Sequence, residues 1–270
     1  MTRAWRLVRR IARRFMAHDG SALAGYIAFA MLLALFPFAV VAVMLASLII
    51  GRRDSIAAVQ ALVELLPAEL VSSIEPVLLQ VISVDRGSTL TLWAVVALWS
   101  SSSGVEAFRT AFDRAYEVAE PRPWWLNRLQ SLAIVLLGVA TFLVVGVAIV
   151  AGPLLIAAIE RYTGLRVPGI VDALRYAIGI GVFWAFLYVL HRLLPPRRPR
   201  AILPGILAST VLFMAMATGF AYYLALAPGY AVTYGALAGV VVAMLFFYLT
   251  GAVIILGAEI NAALMREKVV

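Results

Sequence analysis

Residues Tyr234 to Ala262 read YGALAGVVVAMLFFYLTGAVIILGAEINA, a stretch whose one charged residue is Glu259. A hydrocarbon core about 30 Å thick demands roughly 17 to 25 apolar residues of a helix that crosses it, and no core helix of a soluble protein needs so long a run. Backbone groups in lipid must bond within their own segment, so the run is a helix; barrel strands would alternate apolar and polar residues, and this one does not.

Five further runs of the same kind lie upstream, about Ala24 to Ile50, Thr89 to Phe108, Ser131 to Ala151, Ala173 to Leu194 and Ala201 to Ala227. The whole chain agrees with them: 64% of its 270 residues are hydrophobic and 13% charged, and the mean hydropathy is +1.00, values that exclude a water-soluble globule. The expected fold is therefore all-α, a polytopic six-span bundle over residues 21–265. A basic helix (1–20) precedes it, a short tail (266–270) follows, and an outer insert (54–85) is broken into short amphipathic pieces by Pro67 and Pro76.

Arginine and lysine are retained on the cytoplasmic side of bacterial membranes. With the N-terminus inside, the inner segments hold sixteen of the 22 basic residues and the outer ones six, Arg52, Arg53, Arg86, Arg161, Arg166 and Arg175. Both termini are thus expected in the cytoplasm. In helical projection the six arginines between Arg3 and Arg14 fall within about 140°, opposite Trp5, Val8, Ile11 and Phe15. That is a basic amphipathic helix suited to an anionic inner leaflet, a commoner role than nucleic-acid binding for a basic patch flush against a first span.

Polar groups at membrane depth carry the functional information, because each costs several kcal/mol unless paired or hydrated. In the second span Ser100, Ser101, Ser102, Ser103 and Gly104 follow ten apolar residues, and Glu106 and Arg109 come next at i, i+3 spacing. One reading is a discontinuous helix lining a substrate path, with Gly104 as hinge. The other is a continuous helix whose serines bond back to their own carbonyls. Glu259 either titrates and couples transport to protons or pairs with an arginine of a neighbouring helix end. Arg109 pairs with Glu106 or attracts an anion, and the charges from Arg114 to Arg122 read as a solvated stripe. Pro37 and Pro204 are further hinge candidates, with Pro204 also suited to a first helical turn. Tyr234 belongs to an aromatic belt or to a substrate vestibule.

Catalysis is not expected. There is no cysteine, the two histidines, His18 and His191, are far apart in the sequence, and the cytoplasmic carboxylates are interleaved with arginines. Neither a two-metal carboxylate cluster nor a histidine acid–base pair can be assembled from such a pattern. No cofactor, metal or nucleic acid is expected as a partner. A homo-oligomer is compatible with the sequence.

The segments Ala22 to Phe38 (ALAGYIAFAMLLALFPF), Trp99 to Tyr116 (WSSSSGVEAFRTAFDRAY) with Arg122 and Trp125, Pro204-Gly205, and Tyr234 to Ala262 together resemble the YihY/BrkB family of bacterial inner-membrane proteins, once labelled ribonuclease BN. Asp113 departs from the family pattern, which favours asparagine there. The resemblance implies a six-helix inner-membrane protein with transport or lipid movement suspected, serum resistance linked to some members and export of lipopolysaccharide precursors to others. The expected function is a secondary exporter or lipid translocase working around a cavity near the second and last spans. The alternative is a membrane protein that supports envelope integrity without transporting.

Overall fold

A computed structural model describes residues 3–50, 88–118, 122–152, 156, 160–161, 168–195, 202–226 and 238–267. The outer insert 54–85 and Tyr234 lie outside the described residues. Among the described residues seven α-helices are formed: α1 (Arg3–Ala17), α2 (Gly20–Ile50), α3 (Ser88–Tyr116), α4 (Trp124–Val145), α5 (Gly169–Leu193), α6 (Leu203–Leu226) and α7 (Ala238–Glu267). No strand occurs among the described residues.

Among those residues, four helices are long and apolar enough to cross a membrane: Trp124–Ala148, Gly169–Leu193, Leu203–Leu224 and Gly239–Met265. The pair Val8–Ala17 and Gly20–Leu35, bent by 64°, is long and apolar enough only when its two helices are taken together. Between 17 and 28% of each of the four apolar windows is buried inside the bundle. Many of the remaining apolar side chains on these helices are exposed, among them Leu129, Phe142, Ile170, Leu174, Leu207 and Val211, as a lipid solvent tolerates.

The helices begin and end where local chemistry dictates. Pro204 occupies the first turn of α6, where its missing N–H costs no hydrogen bond. Pro37 lies inside α2, which is helical on both sides of it. A left-handed residue, Asp19 with φ 56°, forms the elbow between α1 and α2. Helix α3 closes on a second one, Glu117 with φ 54°. The Glu117 N–H donates to the Arg114 carbonyl and the Val118 N–H to that of Asp113, the paired bonds of a Schellman cap.

The main core gathers Ala24 and Ile27 from the start of α2, Phe112 and Ala115 from the end of α3, and Ile134 from early α4. Leu187 and Leu190 from the end of α5, Ile206 from the start of α6 and Ile255 and Ala258 from late in α7 complete it. The beginning of every even-numbered helix thus meets the end of every odd-numbered one from α3 onward. Consecutive helices from α2 to α7 alternate in direction, and the start of α2 lies beside the late part of α7.

Packing is tightest where small residues let backbones meet. A Cβ built on Gly257 of α7 would lie 2.0 Å from Ser209 Oγ and 2.8 Å from the Gly205 carbonyl of α6. One built on Gly205 would lie 2.2 Å from the Gly257 carbonyl. Gly251 likewise admits Ile27 of α2.

Candidate functional site

Two polar clusters lie at the end of the bundle where the core is concentrated. The first is centred on Glu259, whose side chain is 0% exposed. Arg14 Nε donates to Glu259 Oε2 at 2.9 Å, and His18 Nδ1 lies 2.5 Å from Oε1. Arg14 also donates to the Ala115 carbonyl at the end of α3, where a cation suits the negative pole of the helix. Its Nη1 is 3.1 Å from Glu117, which His18 Nε2 approaches at 3.3 Å. The basic helix α1 is thereby fastened to α3 and α7.

Beside this cluster, burial raises the Tyr116 hydroxyl pKa, and Asn261 and Glu259 are its polar neighbours. Burial is the main cause; the Asn261 side chain nearby opposes it, and the Glu259 charge reinforces it. Asn261 Oδ1 accepts from the Gly205 N–H at 2.8 Å, capping an amide in the first turn of α6. His191 is fully buried, its Nδ1 is 3.0 Å from the Leu187 carbonyl, and its ring meets Phe112 edge-on.

The second cluster is built on Arg109, buried at 4% exposure. Its Nε donates to Glu106, Nη1 to Asn127 Oδ1 and Gln130 Oε1, and Nη2 to the Asn127 carbonyl and Ser131 Oγ, all between 3.0 and 3.2 Å. A guanidinium has five N–H groups, and these bonds engage all five. Ser131 Oγ donates in turn to Glu106 Oε1 at 2.6 Å. Arg122 reaches Gln130 and the Leu193 and Pro195 carbonyls, so the end of α5 is capped by a cation from the α3–α4 connection.

Several expectations are corrected by this geometry. Helix α3 runs unbroken from Ser88 to Tyr116, so the second span is not discontinuous. Ser102 Oγ donates to the Trp99 carbonyl and Ser103 Oγ to that of Ser100, the local back-bonding that satisfies a hydroxyl within its own helix. Ser101 is buried and Gly104 sits against Ala34 of α2 at 3.6 Å. His18 is far from other histidines in sequence but engages two carboxylates in space. Arg14 does not share the exposed face of Arg9, Arg10 and Arg13 but turns inward. Arg122 likewise leaves the solvated stripe, while Arg114 remains on it, 60% exposed beside Asp19.

Of the residues singled out from sequence, Glu106 and Arg109 come together, and Glu259 pairs with an arginine of another helix end. Asn127, Gln130 and Ser131 were missed. Their spacing at i, i+3 and i+4 places three polar groups on one face near the start of α4, the available signal in the sequence.

An apolar cavity of about 520 Å³, shallow and open like a groove, lies at the other end of the bundle, between late α4 and early α5. It is lined by apolar residues including Leu143, Val147, Ile156 and Ile178, with Arg175 as its charged member. A six-residue π-helical turn, Gly146–Ala151, continues α4 along it. Arg175 donates to the Ala148 carbonyl there and to Asp172 one turn away. Ser100 to Ser103 are not among the lining residues. No group of three or more metal-binding side chains occurs among the described residues.

Comparison with known proteins places these features in a family. The family described as Virulence factor BrkB matches residues 11–270. The putative ribonuclease-like protein YfkH of Bacillus subtilis (strain 168) is 29% identical over 259 residues, 94% of each chain. A UPF0761 membrane protein of Pseudoalteromonas translucida (strain TAC 125) is 26% identical over 251 residues, covering 91% of this chain and 81% of that one. Another, from Yersinia pestis (strain Pestoides F), is 28% identical over 152 residues, about half of each chain. No solved structure matches. A helical membrane protein whose resemblance in sequence extends over nearly its full length, this chain belongs to the BrkB family.

Proposed function

We propose that this protein moves amphiphilic, lipid-type molecules through the bacterial inner membrane, as a secondary exporter or a translocase of lipids or envelope precursors. In this reading the bundle has six spans with both termini in the cytoplasm, and it catalyses no covalent chemistry. The observation that carries it is the asymmetry of the bundle along its axis. The end rich in arginine is closed by the Glu259 and Arg109 clusters, whereas the opposite end holds an apolar cavity with one arginine. Such a cavity suits an acyl chain beside an anionic group, and it offers little to a hydrophilic solute.

Support for the orientation comes from two independent sources. The basic residues divide sixteen to six between the two sides, and the described helices alternate so that α2 begins where α7 ends. In this reading the path runs beside α4 and α5, where the cavity lies, and not along the second and last spans.

One feature favours the second reading, a protein that supports the envelope without transporting. Arg109 spends all its donors inside the bundle, as a structural tie does. A leaflet-exchange assay with labelled anionic lipids in liposomes separates the two. Transport predicts faster exchange than in protein-free liposomes, slowed by Ala148→Phe, which fills the cavity. Exchange no faster than the protein-free rate would leave the supporting role.

A further inference from the structure

Trp99 lies at the level where α3 leaves its apolar stretch, and Arg128 lies in the second turn of α4. The Arg128 guanidinium carbon sits 3.8 Å from the Trp99 ring centroid, and Nη2 donates to the Trp99 carbonyl at 2.7 Å. Trp124 stands 6.0 Å from Trp99, centroid to centroid. Both indoles are open to the surroundings, Trp99 at 49% and Trp124 at 69% exposure.

This arginine differs from Arg14, Arg109 and Arg122 at the same end of the bundle. Arg14 and Arg109 are matched with carboxylates, and Arg122 with helix carbonyls. Arg128 has no carboxylate among the described residues, and its Nε has no acceptor there. A guanidinium held flat against an indole is fixed in direction before any ligand arrives, so little further ordering is needed on binding. Trp124 and Arg128 precede the apolar run of α4 that begins near Ser131, and indoles flanking such a run favour the headgroup zone of a bilayer.

The surface below the arginine is apolar. Val95 is exposed one turn before Trp99 on α3, and Leu129 and Leu136 are exposed on α4 beyond Arg128. The two helices are antiparallel here, so both series lead away from the arginine in the same direction, toward the middle of the membrane. A cation at the headgroup level with an apolar track beneath it matches one class of ligand.

We propose that Trp99, Trp124 and Arg128 form a binding site for the phosphate of an anionic phospholipid, with an acyl chain lying along the exposed faces of α3 and α4. The site needs only that the bundle sit in a membrane; it does not rest on transport, and it is distinct from the cavity at the other end.

Quenching of tryptophan fluorescence by brominated lipids tests this in the full-length protein in mixed micelles. Brominated phosphatidylglycerol is expected to quench at about fivefold lower concentration than brominated phosphatidylcholine, the ratio for one interfacial basic contact. Arg128→Gln removes that preference, and Trp99→Phe, which keeps an aromatic face but weakens the platform, reduces it. Inorganic phosphate at millimolar concentration leaves it intact, because the acyl chain contributes. Equal quenching by the two lipids in the unmodified protein would overturn the proposal, as would a preference that survives both substitutions. Displacement by inorganic phosphate alone would overturn the assignment to a lipid.

Discussion

Glu259 shows how far a single residue can be read before the fold is known. A lone carboxylate in a stretch otherwise free of charge announces a partner, because an unpaired one at membrane depth is too costly. Which partner is a matter of tertiary structure: Arg14 and His18 are more than 240 residues away in sequence. Replacing Glu259 with glutamine leaves Arg14 and His18 facing a neutral group. The expected loss is about 3 kcal/mol, as for other broken buried pairs, read as a lowered unfolding temperature in detergent together with faster amide exchange in α1. Arg109 offers a sharper chemical test. Lysine keeps the charge but has three donors where the native side chain uses five. Arg109→Lys is therefore expected to destabilise by about 2 kcal/mol, the cost of leaving buried acceptors unmet. Thermal unfolding as mild as that of the native protein would contradict the network.

At the scale of elements, apolar length located the helices well, because a bilayer imposes the same length on every span. The starts and ends were less legible. Helix α4 begins at Trp124 and not near Ser131, since its first turns carry the polar residues that receive Arg109. The serine run of α3 left two readings open for a related reason: four hydroxyls in sequence resemble a break, and it is the continuous helix that forms, two of them bonding to its own carbonyls. Glycine positions give the most direct test of how α6 and α7 cross. Gly257→Ala would drive a methyl into Ser209 Oγ, and a cost of about 1 to 3 kcal/mol is expected. Gly181→Ala and Gly219→Ala have nothing within 4 Å of the added carbon. They are expected to be neutral or to stabilise by up to about 1 kcal/mol through helix propensity. Parallel thermal denaturation of the three variants checks the contrast.

The whole molecule is organised by an axis. Polar side chains and close-packed alanines and glycines concentrate at one end, while the other end opens on an apolar cavity. The chain's arginines foreshadow this, because the positive-inside bias marks the same end. They do not reveal the cavity, which is lined by the π-helical turn after α4 and by early α5. The absence of cysteine makes the axis directly measurable. Single cysteines at Met16 and Ile170, exposed at 77 and 75%, report on the two ends without interference from native thiols. With a membrane-impermeant maleimide applied to intact cells, Ile170→Cys is expected to label and Met16→Cys to label only after the inner membrane is opened. Labelling of both from the same side, or the reverse pattern, would contradict a bundle closed on its cytoplasmic end.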